Sequence, residues 1–419
     1  MHAVRAAIAH DGERFREGGA TVLVDGGRIA GVEPVGFEVP DGVPVTTYDG
    51  TLLPGLVDAH VHLVADATLG GLERAGALPT DALDALVRES LAQQAAAGVT
   101  TVRDLGDVAY CTLPHREAAR AGEPRIVAAG PPITTVGGHC HYLGGAVTGP
   151  DGIRAAVDER VRRRVDVVKV MASGGMTTPG TDVFGVQFSD DDLGLLVELS
   201  HATGMPVLAH AHSLAAAWQA LGAGVDGIEH FTCLAEDSVV VPEELLAEVA
   251  ARGVAVDLTM GNNPAVMAAM GAPPPAIQEM LDRIGLGFDQ VHARRLTALE
   301  AIRRHGLTMV AGVDAGVSPP KAHGNLWLVV VDLVEGGYPV EEAVASATGV
   351  AARQCGIGEL TGSLRPGLDA DLLVVAGDLR QDPFALGRPT AVWVRGVPVR
   401  PRAWPSGSGG HSVSGASSA

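Results

Sequence analysis

The sequence predicts an α/β protein, a (β/α)8 barrel that carries a small β domain assembled from both chain ends. Three observations support this. Through the middle of the chain, short apolar runs alternate with alanine-rich helical stretches, the pattern of βα units on a parallel sheet. Eight such runs fall within about 300 residues, the usual size of such a barrel. Near both ends the texture changes to apolar and polar residues alternating between turn signals.

Taken in order, "ATVLVDGGRIAGVEP" reads as two short strands joined at Asp25-Gly26-Gly27. The eight central strands are expected at Leu56–His62, Thr100–Asp104, Arg125–Gly130, Val165–Met171, Pro206–His210, Val225–His230, Val254–Leu258 and Met309–Asp314. Helices fit between most of them, at Thr80–Ala97, Gly152–Arg164, Asp190–Thr203, Leu214–Gly222, Pro242–Arg252 and Asp289–His305. "DADLLVVAGDL" and "TAVWVRGVPV" restore the β texture, so residues 1–54 and 362–403 are assigned to the β domain and 55–361 to the barrel. The Gly/Ser-rich tail, 404–419, is expected to be disordered.

Composition bounds the function. With 419 residues, 47% hydrophobic and 19% charged, the chain can bury a large core. A net charge of −19 argues against nucleic acid or an anionic membrane as partner, since both bind through basic surface. Cys111, Cys140, Cys233 and Cys355 form no C-x-x-C pair, so neither a zinc knot nor a disulfide framework is suggested. The N-terminal stretch lacks an apolar signal region, and no uncharged apolar run approaches the ~18 residues that span a bilayer. A soluble, cytoplasmic protein acting on a small-molecule substrate is expected, in a homo-oligomer.

In a (β/α)8 barrel the chemistry sits at the C-terminal ends of the strands. Strand one closes with "GLVDAHVHL", where His60 and His62, two apart, face the same side and can grip one ion. Strand five closes at His210 in "VLAHAHS", strand six at His230 in "GIEHF" and strand eight at Asp314 in "VAGVDAG". Strand four, "VDVVKVMASGG", places Lys169 inside an apolar run, where an unpartnered ammonium is costly. Any one of these is more often a packed or rim residue than a ligand. Their coincidence at five of the eight strand ends points to a borderline divalent ion such as zinc.

Two ambiguities remain at this level. His210 and His212 share a face, so either can be the ligand and the other a substrate contact; His210 is chosen because it ends the strand. The Gly-rich segment "TTVGGHCHYLGG" holds His139, which can polarise a substrate carbonyl, with His141 and Tyr142 beside it as further substrate contacts.

"PGLVDAHVHL", "VKVMASGG", "AHAH", "GIEH", "GVDAG" and "GSLRPGLDADLLVV", in that order, resemble the amidohydrolase superfamily over essentially the whole chain. The resemblance is to its imidazolonepropionase-like and prolidase-like branch, with Xaa-Pro and Xaa-Arg dipeptidase types. It implies a distorted TIM barrel, a β-sandwich from both termini and a binuclear metal centre, usually zinc. It also implies hydrolysis of an amide or peptide-type C–N bond in a dipeptide, N-acyl amino acid or related small amide. By matching positions, His60, His62 and Asp314 hold one metal, His210 and His230 the other, and Lys169, carboxylated by CO2, bridges both. His139 matches the position that contacts the substrate carbonyl. Ser213 after H-A-H and Cys140-His141 after the loop histidine depart from the motif where the substrate is expected.

The mechanism expected from this is attack by a metal-bridging hydroxide, with Asp314 shuttling the proton to the leaving nitrogen. The alternatives are a mononuclear deaminase or cyclic-imide hydrolase, which generally lacks the strand-four lysine, and a catalytically silent binding protein on the same barrel. Segments 137–149, 173–187 and 261–288 are expected to shape the pocket, with Arg283 and Lys321 as candidate cations for a substrate carboxylate.

Overall fold

The alternation at the two chain ends and the βα rhythm between them become separate sheets. In the computed structural model, which describes residues 1–402, the longer strands are β1 (His2–His10), β2 (Ala20–Asp25), β3 (Arg28–Glu33), β4 (Val45–Pro54), β5 (Leu56–Val61), β6 (Val99–Asp104), β7 (Arg125–Ala128), β8 (Val168–Met171), β9 (Val207–Ser213), β10 (Gly227–Ala235), β11 (Ala255–Asp257), β12 (Leu372–Ala376), β13 (Pro389–Val394) and β14 (Val397–Val399). The helices that concern the site are α1 (Thr80–Ala96), α2 (Gly149–Arg163), α3 (Asp190–Ala202), α4 (Leu214–Ala223), α5 (Glu243–Arg252), α6 (Pro264–Met270), α7 (Pro275–Ile284), α8 (Phe288–Arg304) and α9 (Leu326–Glu335).

The chain ends share one sheet, ordered β14-β13-β12-β4-β1-β2-β3. Its junction is β4, parallel to β1 on one side and antiparallel to β12 on the other, with Leu53 opposite Leu373. Val4, Val22, Leu52, Val374 and Trp393 bury one apolar cluster against this sheet. One residue, Gly55, separates β4 from β5, so the sheet hands the chain directly to the first site-bearing strand.

The central strands pair in parallel, β5-β6-β7 and β8-β9-β10-β11. Single bridges join the runs: Ile133 to Val170, Val256 to Met309, and Ala315 to Val61, which returns the pairing to β5. Every residue of β5, β6 and β8 is buried, as strands covered on both faces require. The helices between them have legible signals. Ser189 caps α3 by accepting from the Asp192 amide, and three aspartates complement the positive end of that helix. Ser213 caps α4 in the same way, and left-handed Gly224 and Gly253 end α4 and α5.

The six expected helices are present, with ends within a few residues of the expected ones. The eighth expected strand, Met309–Asp314, is not a regular strand. Its Val310 amide bonds Val256 O at 2.9 Å, but the Ala311 amide bonds Ser346 O at 3.0 Å. Asp314 is left-handed at φ 65, which breaks the regular ladder there, although its amide bonds His60 O at 2.8 Å and Ala315 bridges Val61. Segment 261–288, expected to shape the pocket and given no expected secondary structure, contains α6 and α7. The expected disordered tail lies outside the described residues. Among the described residues no helix is long and apolar enough to cross a membrane.

Candidate metal centre

Parallel register brings the strand ends level. Met171 of β8 is opposite His210 of β9, and Ala211 of β9 is opposite His230 of β10. Both His230 (φ 70) and Asp314 (φ 65) are non-glycine residues in the left-handed region, a costly conformation that re-aims the side chain where the strand pairing loses its regular register.

The resulting cluster has two halves. Donor atoms of His60, His62 and Asp314 lie within 4.8 Å of one another, and so do those of His210, His212 and His230. Asp314 Oδ1 is 3.2 Å from His62 Nε2 and 3.5 Å from His60 Nε2. The rings of His60 and His230, 5.2 Å apart, join the halves. Lys169 is 1% exposed, and its Nζ has no hydrogen-bond partner. The His139 ring stands 4.5 Å from that of His210. His210 and His212 enter the cluster together, so the ambiguity between them is shared by the geometry.

Outer partners fix the imidazoles. His60 Nδ1 donates to Glu229 Oε2 at 2.7 Å and His62 Nδ1 to Gly106 O at 2.9 Å. His230 Nδ1 pairs with Thr259 Oγ1 at 2.9 Å and His212 Nδ1 with Thr232 Oγ1 at 3.0 Å. With Nδ1 occupied, Nε2 is the ring nitrogen these four histidines have left for a metal. His210 differs, its Nε2 lying 3.1 Å from Gly174 O.

Charge follows burial. Burial pulls His60 to about 4 and His139 and His212 to about 3, and lowers His210 and His230 strongly, so these rings are neutral donors at pH 7. Burial also lowers Lys169, the condition for a free amine to react with CO2. Asp314 stays ionised because His60 and His62 outweigh its burial, and His62 is raised because Asp314 overrides burial there. Neutral imidazoles, an ionised carboxylate and an orphaned amine between them fit a pair of divalent cations.

The other expected residues are placed differently. His141 is exposed and holds Gly138 O through Nδ1 at 2.9 Å. Tyr142 OH points to Cys140 Sγ at 3.7 Å, and neither His141 nor Tyr142 is among the cleft-lining residues. Burial pushes the Cys140 thiol up to about 12, away from the thiolate a metal needs. Lys321 Nζ donates to Thr259 O and Val313 O, both at 2.6 Å, and is a brace rather than an open cation. Arg283 pairs with Asp182 and Glu236 and lies 4.1 Å over the Phe184 ring, clasping segment 173–187 to α7.

Sequence reasoning missed the buried charges beneath the cluster. Glu229 Oε1 accepts from Arg103 Nη2 at 3.1 Å, and Asp257 Oδ2 lies 3.8 Å from His60 Nδ1. The signal was present, since Glu229 interrupts an apolar run just as Lys169 does. Above the cluster opens a cleft of about 2430 Å³, lined by both halves, His139, segment 175–184, α6, α7 and α8.

Residues 51–399 match the amidohydrolase family. This chain belongs to that family. The amidohydrolase is 31% identical over 383 residues to an uncharacterised protein of Mycobacterium tuberculosis, covering 89% of this chain and 90% of the other. It is 25% identical over 371 residues to ochratoxinase of Aspergillus niger, covering 81% and 73%. Among solved structures it is similar to a Xaa-Pro dipeptidase with bound methionine, at TM-score 0.79 and 26% identity, covering 95% and 99%. The similarity places this amidohydrolase with the imidazolonepropionase-like and prolidase-like members.

Proposed function

We propose that this amidohydrolase is a binuclear metal-dependent hydrolase of amide or peptide-type C–N bonds in small molecules. The observation that carries the proposal is Lys169, a fully buried amine without a hydrogen bond, in electrostatic reach of His60, His210, His230 and Asp314. A mononuclear deaminase has no use for it. The returning parallel pairing supports a distorted (β/α)8 barrel, and the sheet shared by both termini supports a small β-sandwich domain beside it. A neighbour named as a dipeptidase supports a peptide-type bond.

In this reading His60, His62 and Asp314 would hold one ion and His210 or His212 with His230 the other, and Lys169, once carboxylated, would supply an anionic oxygen ligand beside them. Divalent ions, most simply zinc, supply a Lewis acid and a water that ionises near neutral pH. Asp314, anionic and 15% exposed, accepts the proton of the attacking water and returns it to the leaving nitrogen. His139, neutral and facing the cleft, donates to the carbonyl oxygen as charge develops there. The protein is taken to work in the cytoplasm as a homo-oligomer.

The test is elemental analysis together with a panel of dipeptides and N-acyl amino acids, before and after chelation. About two ions per chain and chelator-sensitive release of a carboxylate and an amine are expected. Full hydrolysis by metal-free protein, or release of ammonia alone, contradicts the proposal.

A further inference from the structure

The cleft has an apolar wall and a cation with a donor to spare. Met267, Met270, Ile277, Met280 and Phe288 line it from α6, α7 and the start of α8. Several basic side chains at its edge are committed: Lys321 to backbone carbonyls, Arg283 to Asp182 and Glu236, and Arg388 to Asp382. Arg295, on α8, is different. Its Nη2 donates to Leu258 O and its Nε is buried without a hydrogen-bond partner; Asp332 and Asp257 act on its charge from beyond ion-pair distance.

Its position ties it to the metal centre. Leu258 directly precedes Thr259, whose hydroxyl pairs with His230, so the guanidinium is fixed beside the residue that orients a metal-competent imidazole. Arginine keeps its charge when buried, and an unsatisfied guanidinium N–H next to a substrate cleft suits a planar oxyanion.

We propose that Arg295 is the specificity-determining cation of the cleft, reading a substrate carboxylate while the α6–α7 wall holds a bulky apolar portion. The substrate class is then an N-acyl amino acid with an apolar acyl group. This rests on the amide-hydrolase reading above.

The test compares N-hexanoyl-L-phenylalanine with its C-terminal carboxamide, which has the same bulk without the charge. Metal-replete wild type is expected to favour the acid in kcat/KM on the order of 10- to 100-fold, the range of one charge-assisted hydrogen bond. Arg295→Met is expected to bring the ratio close to one, and Arg295→Lys to keep part of it, because a point charge replaces a fork. Titration calorimetry of both compounds into metal-free protein is expected to show the same preference. A ratio near one in wild type, or one unchanged in a folded Arg295→Met, overturns the inference. If neither compound is hydrolysed, the amide-hydrolase reading fails, and calorimetry still decides Arg295: acid preference lost in Arg295→Met supports it, and equal or absent binding overturns it.

Discussion

Glu229 Oε2 accepts from His60 Nδ1 at 2.7 Å, with both side chains almost completely buried. Arg103 compensates the other carboxylate oxygen, so the glutamate remains ionised despite its burial and holds His60 with Nε2 free for a metal. Glu229→Gln keeps the shape but removes the charge. Metal affinity is expected to fall about 10- to 100-fold, read by competition with a chromogenic chelator. Unchanged affinity in the folded variant removes the positioning role.

Asp314 is one hydrogen-bond length from His62 and close to His60, and their attraction keeps it ionised. Asp314→Asn preserves an oxygen donor but no longer accepts a proton. It is expected to retain at least one metal ion and to lose roughly 10²- to 10⁴-fold in kcat, the usual weight of general acid–base catalysis. Turnover near wild type at full metal content assigns the proton transfer to another group.

Much of this site was legible because buried strands make polar residues conspicuous. Lys169, His60, His210 and His230 stand out in "VVKVM", "DAHVH", "VLAH" and "GIEH", since an apolar run tolerates such groups only for a reason. The same argument applied to Glu229 and Asp257 would have found the charges under the histidine cluster. Tertiary pairing was not legible. The Ala311 amide turns to Ser346 O while its carbonyl stays paired with Ala59 of β5, and no period in the sequence announces that choice. Segment 261–288, rich in Pro and Met, hid two short helices, and the packing of the second, α7, comes from Phe184, Val183 and other distant residues. His141 and Tyr142 looked like site residues because of their neighbours; a left-handed Cys140 redirects the chain there.

Lys169 tests the bridging group directly. Burial lowers its pKa, and a neutral amine adds CO2 to become an anionic carbamate. Wild-type protein loaded with metal in ¹³C-labelled bicarbonate is expected to show a carbamate carbon resonance. Lys169→Gln is expected to lack it and to lose at least one ion per chain by elemental analysis. A fully active, metal-replete wild type with no such resonance removes carboxylation from the mechanism.

His323, outside the candidate metal-ligand groups, sets a pH dependence of stability. It is buried, with Nε2 donating to Ala65 O at 3.0 Å and Nδ1 facing Gln94 Nε2 at 3.4 Å, a pairing that needs the neutral ring. Burial pulls its pKa to about 4, below the ~6.5 of an unfolded chain. Between these values the unfolded state binds the extra proton, so stability is complete above pH 6.5 and falls as pH drops towards 4, by up to about 3 kcal/mol. Asp58 and Asp104, raised to about 7 by burial, have the opposite sign, contributing most in acid and less as pH rises towards 7. The Asp104 effect is common to wild type and His323→Gln, and Asp58, which shares Gln94 with His323, is controlled by a parallel comparison of Gln94→Ala with Gln94→Ala/His323→Gln. Urea unfolding of the metal-free proteins is expected to show a shallower loss of stability in the variant between pH 6.5 and 4, by about one proton. Parallel curves mean that His323 is protonated in the folded state or that its site opens before unfolding.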